Sequence, residues 1–161
     1  MKAMVIYDSV FGNTGLIAQA IGEALGSDGE VQTLQVASAS PEEVTGQRLL
    51  VVGSPTRGFR ATPATSKFLK AIPRSGLDGV QVAAFDTRFT ERGIEEGPGI
   101  LRFLVRLFGY AAEPIGKALE KKGGKLAVPP EGFYVTDTEG PLAEGELERA
   151  AAWARRVVAA L

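Results

Sequence analysis

The chain has 161 residues, 45% hydrophobic and 23% charged, which suits one soluble globular domain with a sizeable core. Its 18 basic and 19 acidic residues leave a net charge of −1, so overall charge advertises neither nucleic acid nor an anionic membrane as a partner. With no Cys and no His, the composition excludes disulfides, thiolate and imidazole catalysis, Ser-His-Asp triads and metals held by thiolate or histidine.

In chain order, "KAMVIY" (2–7) is the first strand-like run, with no secretory signal ahead of it, so the cytoplasm is the expected compartment. "YDSVFGNTG" (7–15) follows and holds the only asparagine of the chain. A helix is predicted over 13–25, where Leu16, Ile17, Ala20, Ile21, Ala24 and Leu25 form one face and Gly26 a stop. "EVQTLQV" (30–36), "RLLVVGS" (48–54) and "VQVAAFD" (80–86) are further strands, the last two nearly continuous in hydrophobics, as in parallel strands buried on both faces. Between them a helix over 63–72 opens on Pro63. "PGILRFLVRLFG" (98–109) predicts an additional short helix, and 111–122 another with Pro114 in its first turn. "KLAV" (125–128) and "GFYV" (132–135) form a last strand pair split by Pro129-Pro130. The final helix, 145–160, is expected to turn Leu147, Ala150, Ala151, Ala154, Val157, Val158 and Leu161 inward.

This alternation predicts a single α/β domain built on a doubly wound, five-stranded parallel sheet. No apolar run approaches the roughly 18 residues of a membrane span. Ligands of such sheets bind beyond the carboxyl ends of the strands, which directs attention to the loops 8–14, 54–62 and 86–97. In the first loop Ser9 and Thr14 offer hydroxyls, Gly12 permits close approach and Asn13 is a candidate N-cap. The free N–H groups of the following helical turn suit a phosphate dianion, held without any Lys or Arg in the loop. A helix cap with no ligand is the competing reading. It is not a nucleoside-triphosphate loop, since G-K-[ST] does not follow Gly12.

At these residues the sequence resembles the flavodoxin family. "SVFGNT" (9–14) is similar to the family's phosphate loop at Ser9, Gly12, Asn13 and Thr14, with Val10 in the spacer and Phe11 where a Thr hydroxyl is usual. "VVGSPTRGF" (51–59) resembles the first flavin-ring loop, placing Pro55, Thr56, Arg57, Gly58 and Phe59 beside the ring. "FDTRF" (85–89) resembles the second, with Asp86, Thr87 and Arg88 at the pyrimidine edge and Arg88 or Phe89 in place of the usual Tyr. The resemblance spans the whole chain and implies the strand order 2-1-3-4-5, an FMN cofactor and electron transfer between redox partners. A flavin-dependent quinone or porphyrinogen oxidoreductase is the alternative it leaves open. A signalling receiver of the same sheet order is disfavoured, because strand three ends in Gly53-Ser54-Pro55 with no phosphoacceptor.

Acidic flavodoxins disfavour the reduced flavin, whereas here Arg57, Arg60, Arg88 and Arg92 fall in the ring loops. A guanidinium about 6 Å from a reduced ring contributes about 3 kcal/mol at an effective dielectric near 20, before screening. For one electron that is roughly 0.1 V, which predicts a raised potential. In 98–109, Ile100, Leu101, Phe103, Leu104, Leu107 and Phe108 form one apolar face with Arg102 and Arg106 opposite. That face is expected to be core, with a docking surface for a homodimer mate, a quinone-like substrate or a membrane interface as the alternative.

Overall fold

The computed structural model describes residues 1–26 and 30–161, and at Glu91, Arg92, Gly93 and Phe108 the backbone alone. The elements run β1 (Ala3–Tyr7), α1 (Asn13–Leu25), β2 (Val31–Gln35), a 3₁₀ turn (Val36–Ser38), β3 (Leu49–Pro55), α2 (Pro63–Ala71) and β4 (Gln81–Phe89). They continue with α3 (Glu91–Glu96), α4 (Gly99–Phe108), α5 (Ala112–Glu120), β5 (Lys125–Leu126), β6 (Glu131–Val135) and α6 (Glu146–Ala159).

All pairings between these strands are parallel, in the order β2-β1-β3-β4-β5. β5 pairs with Gln81–Val82 at one end of β4, and β6 with Phe85–Phe89 at the other. They are one strand position interrupted by 127–130, where Pro129 and Pro130 lack the N–H a ladder requires. The predicted five-stranded sheet is therefore present, its fifth position filled by two segments.

Period-two alternation sorts the strand residues between two cores. Met4, Ile6, Leu50, Val52, Val82 and Ala84 pack with Phe68 and Leu69 of α2 and Ile115 and Leu119 of α5. Ala3, Val5, Leu49, Val51, Ala83 and Phe85 pack on the other face with Ile17 and Ile21 of α1 and Trp153 and Val157 of α6. Phe85, Phe133 and Trp153 meet edge to face with ring centres 6.0–6.3 Å apart, a geometry the ring quadrupoles favour.

Four expectations need correction. α6 turns Ala150, Trp153, Ala154 and Val157 inward, while Leu147 and Val158 are exposed, because the buried stripe is centred nearer Trp153. β4 runs on to Phe89, so Thr87 and Arg88 are strand residues paired with Phe133 and Tyr134 of β6. The expected loop that follows contains α3. Of the α4 face expected to be core, Ile100, Phe103 and Leu107 are each at least 60% exposed, Leu101 and Leu104 are half-buried, and the Phe108 side chain lies outside the described residues.

Candidate functional site

The chain passes from β1 to β2 on one side of it and then crosses to β3 on its other side. The strand order therefore reverses at β1 and β3, and ligands of such sheets bind beyond the carboxyl ends there. A cavity of about 350 Å³ lies there, within the size range of small-ligand sites.

Its floor is the loop from Asp8 to Thr14. The helix cap is Gly12, at φ 95°, rather than the expected Asn13, which is the first residue of α1. The Ser9 hydroxyl accepts from the N–H groups of Gly12 at 3.1 Å and Gly15 at 3.3 Å, curling the loop around itself. The Thr14 and Thr87 hydroxyls are hydrogen-bonded at 2.8 Å, fastening the loop to β4. Asn13 Nδ2 donates to the Glu139 carbonyl at 3.1 Å. Asp8 accepts from the Thr62 hydroxyl at 2.6 Å, and Thr62 caps α2 by accepting from Thr65 N–H. After this bonding, the N–H groups of Phe11, Asn13 and Thr14 have no protein acceptor among the described residues. Orphan donors at the positive end of a helix form an anion cradle, and no cation of the loop competes for the anion.

One wall is the loop after β3. Arg57 and Arg60 exchange backbone hydrogen bonds at 2.8 and 3.1 Å, closing a two-residue hairpin. Its tip, Gly58 and Phe59, has φ 53° and 68°, the paired positive values of a type I′ turn. Glycine adopts this freely; a phenylalanine there is held by its surroundings against a steric cost. The Arg57 guanidinium reaches to 5.7 Å from the Phe11 ring, so the two loops approach each other across the cavity.

The opposite wall is the end of β4. Asp86 is fully buried and does not face the cavity. Its carboxylate accepts two hydrogen bonds from Arg88, at 2.7 and 2.8 Å, and one from Ala112 N–H at the start of α5, at 2.8 Å. Burial pushes the Asp86 carboxyl above the usual aspartate range, against the opposing pull of Arg88 and the Ala112 N–H. The Arg88 guanidinium lies over the Tyr110 ring at 3.8 Å. A Cβ on Gly132 would sit 2.1 Å from Arg88 Nε, so β6 leaves room for this arginine only because residue 132 has no side chain.

Of the expected site residues, Ser9, Val10, Phe11, Asn13, Thr14, Pro55, Thr56, Arg57, Gly58, Phe59, Thr87 and Arg88 line the cavity. Gly12 sits behind them as the cap, and Asp86 is the buried anchor of Arg88. Sequence reasoning missed Ile94, Leu101, Val105 and Tyr110, which complete an apolar wall. "FGY" at the end of the additional helix is the local sign that an aromatic could return there. The charge expectation also changes, because Arg88 is neutralised by Asp86 and Arg60 lies in a separate groove between α2 and α5. The Arg92 side chain lies outside the described residues; among the described ones Arg57 is the exposed cation of the cavity.

The residues present fit an FMN: a cation-free anion cradle lies beside an apolar slot walled by aromatic and aliphatic side chains. The model of the flavodoxin domain family matches residues 4–128, most of the chain. No curated protein matches it. Among solved structures, Flavodoxin 2 from Bacillus cereus superposes with a TM-score of 0.78 at 21% identity over 100% of both chains. A flavodoxin from the domain Archaea gives 0.72 at 21% identity, covering 99% of this chain and 97% of that one. Rubredoxin oxygen:oxidoreductase from Desulfovibrio gigas gives 0.72 at 17% identity, over 99% of this chain but 35% of that larger one. These structural likenesses carry the fold; the family match over residues 4–128, joined to the loop geometry, shows that the chain belongs to the flavodoxin domain family.

Proposed function

We propose that the protein is an FMN-binding electron carrier of the cytoplasm, passing electrons between redox partners. The observation that carries this reading is the cradle at residues 9–14, where the N–H groups of Phe11, Asn13 and Thr14 have no protein acceptor among the described residues at the start of α1. Those donors, with the Ser9 and Thr14 hydroxyls, hold the phosphate by hydrogen bonds and the helix dipole alone. The Arg57-Gly58 peptide would flank the flavin ring, and Thr87 and Arg88 would hold its pyrimidine edge. FMN supplies the electron-transfer chemistry when bound; the protein supplies orientation, exclusion of water and electrostatics.

No carboxylate lines the cavity among the described residues, and the chain has no histidine. Asp86 is locked into its arginine pair. A cavity without a proton-transfer group of ordinary pKa range near neutrality suits electron transfer better than proton abstraction. The alternative, a flavin-dependent quinone or porphyrinogen oxidoreductase, draws support from the apolar wall of Ile94, Leu101 and Val105. The test is titration of the flavin-free protein with FMN, followed by flavin fluorescence. Saturable quenching to a 1:1 endpoint is expected, and its absence refutes the reading. Steady turnover of NAD(P)H and a quinone by the loaded protein alone would favour the enzyme.

A further inference from the structure

α4 carries more apolar surface than the fold uses. Leu101 and Val105 line the cavity, while Ile100, Phe103 and Leu107 point to solvent with 65%, 60% and 62% exposure. At about 100° per residue these three share one narrow stripe, roughly opposite the cavity-facing pair, and Arg102 and Arg106 flank it. A helix serving only the core needs one apolar face; this one has two.

We propose that α4 is a lipid-docking helix that seats the protein on an anionic membrane surface. Ile100, Phe103 and Leu107 enter the boundary between headgroups and acyl chains, and Arg102 and Arg106 bind lipid phosphates. Lipid is favoured over a protein partner by what the stripe lacks. Residues 99–108 include no Ser, Thr, Asn, Gln, Asp or Glu, whereas protein interfaces carry about one hydrogen bond per 100–200 Å². A second copy packed helix to helix would bring four guanidinium groups together with no carboxylate on either α4 to pair them. The exposed acids nearest in sequence, Glu95 and Glu96, belong to α3 and precede the break at Pro98. Guanidinium groups beside an apolar stripe, on stems long enough to snorkel, match the depth profile of a phospholipid surface. No helix among the described residues is long and apolar enough to cross a membrane, and α4 with its 10 residues is far short of a span, so the docking proposed is peripheral. The cavity lies on the far side of α4 from this stripe, so docking holds it about one helix diameter from the lipid and leaves its lining free.

The test is co-sedimentation of the full chain with phosphatidylcholine vesicles, with and without phosphatidylglycerol. Binding to the anionic vesicles is expected to be about tenfold or more tighter, and to weaken with salt. The triple variant Ile100→Ser, Phe103→Ser, Leu107→Ser should lose binding by an order of magnitude or more, and Arg102→Gln with Arg106→Gln should abolish the anionic preference. Cooperative thermal unfolding and unchanged FMN quenching certify that each variant is folded. The proposal is overturned if the parent ignores anionic vesicles, if it binds neutral ones equally, or if the triple variant binds as the parent does. It is equally overturned if ultracentrifugation without lipid shows a parent dimer that the triple variant dissolves. FMN titration is read separately: vesicle binding without flavin binding sinks the flavin reading alone, and the reverse sinks the membrane.

Discussion

Replacing Gly132 by alanine should cost far more than one methyl group ordinarily does. The new Cβ would lie 2.1 Å from Arg88 Nε, 2.2 Å from its Cζ and 2.6 Å from Nη2. A long side chain usually swings away from such a clash at little cost. Here the guanidinium is held by two hydrogen bonds to Asp86 and stacked on Tyr110, so moving it leaves a fully buried carboxylate with only the Ala112 N–H. Breaking a buried pair from one side costs about 3–5 kcal/mol; partial relaxation of β6 puts the expected loss near 3 kcal/mol. For a chain of this size that lowers Tm by roughly 6–12 °C. The assay is thermal and urea denaturation of four proteins: parent, Gly132→Ala, Arg88→Met and the double variant. With a flexible apolar side chain at 88 the clash disappears, so Gly132→Ala should add about 1 kcal/mol or less in that background. A single-variant loss below about 1 kcal/mol, or full additivity, would refute the reasoning.

Arg57→Gln should lower the potential of the FMN-loaded protein by a few tens of millivolts, a screened fraction of the unscreened Coulomb term, measured by spectroelectrochemical titration. An unchanged potential would put the guanidinium out of range of the ring. Thr62→Ala removes the α2 cap and the hydroxyl bonded to Asp8, and should cost roughly 1–2 kcal/mol by urea unfolding, with Thr62→Ser close to the parent. Burial works to raise the Glu146 carboxyl pKa, but hydrogen bonds from Arg149 and Tyr134 N–H outweigh it and hold the pKa below the ordinary 4.5. A depressed carboxylate stabilises the fold above the unfolded value and loses that contribution as pH falls through the folded one. Glu146→Gln should therefore cost roughly 1–2 kcal/mol at neutral pH, with the gap to the parent closing in acid below 4.5; a pH-independent gap would count against the ion pair.

What could be read from the sequence was what depends on neighbours along the chain. The buried strands β3 and β4 announce themselves as unbroken apolar runs, and the small residues of 9–14 mark a tight strand-to-helix turn. Pro63 signals the start of α2 for the same local reason. The Asp86–Arg88–Gly132 arrangement was not legible, because it joins two strands distant in sequence and a glycine by itself does not say whose side chain it admits. Tyr110 escaped notice since the missing aromatic was sought in the two ring loops, whereas it arrives from the turn between α4 and α5. The stripe on α4 was legible as a pattern but not as a surface. Periodicity reports that a helix has an apolar face, and only tertiary packing decides whether protein covers it.

The interrupted strand beside β4 has a consequence for how this sheet ends. An open sheet has two rims of unpaired backbone, each a template for unwanted strand addition. On one rim Pro129 and Pro130 break the row of N–H donors between β5 and β6, so an incoming strand finds no continuous ladder to extend. On the other rim stands β2, five residues of Val, Gln, Thr, Leu and Gln with neither a charge nor a proline among them. The molecule is thus sealed against polymerisation on one side only. Any aggregate grown by edge-to-edge pairing should begin at Val31–Gln35, and a single lysine facing solvent there is the economical way to make the protein safer to concentrate.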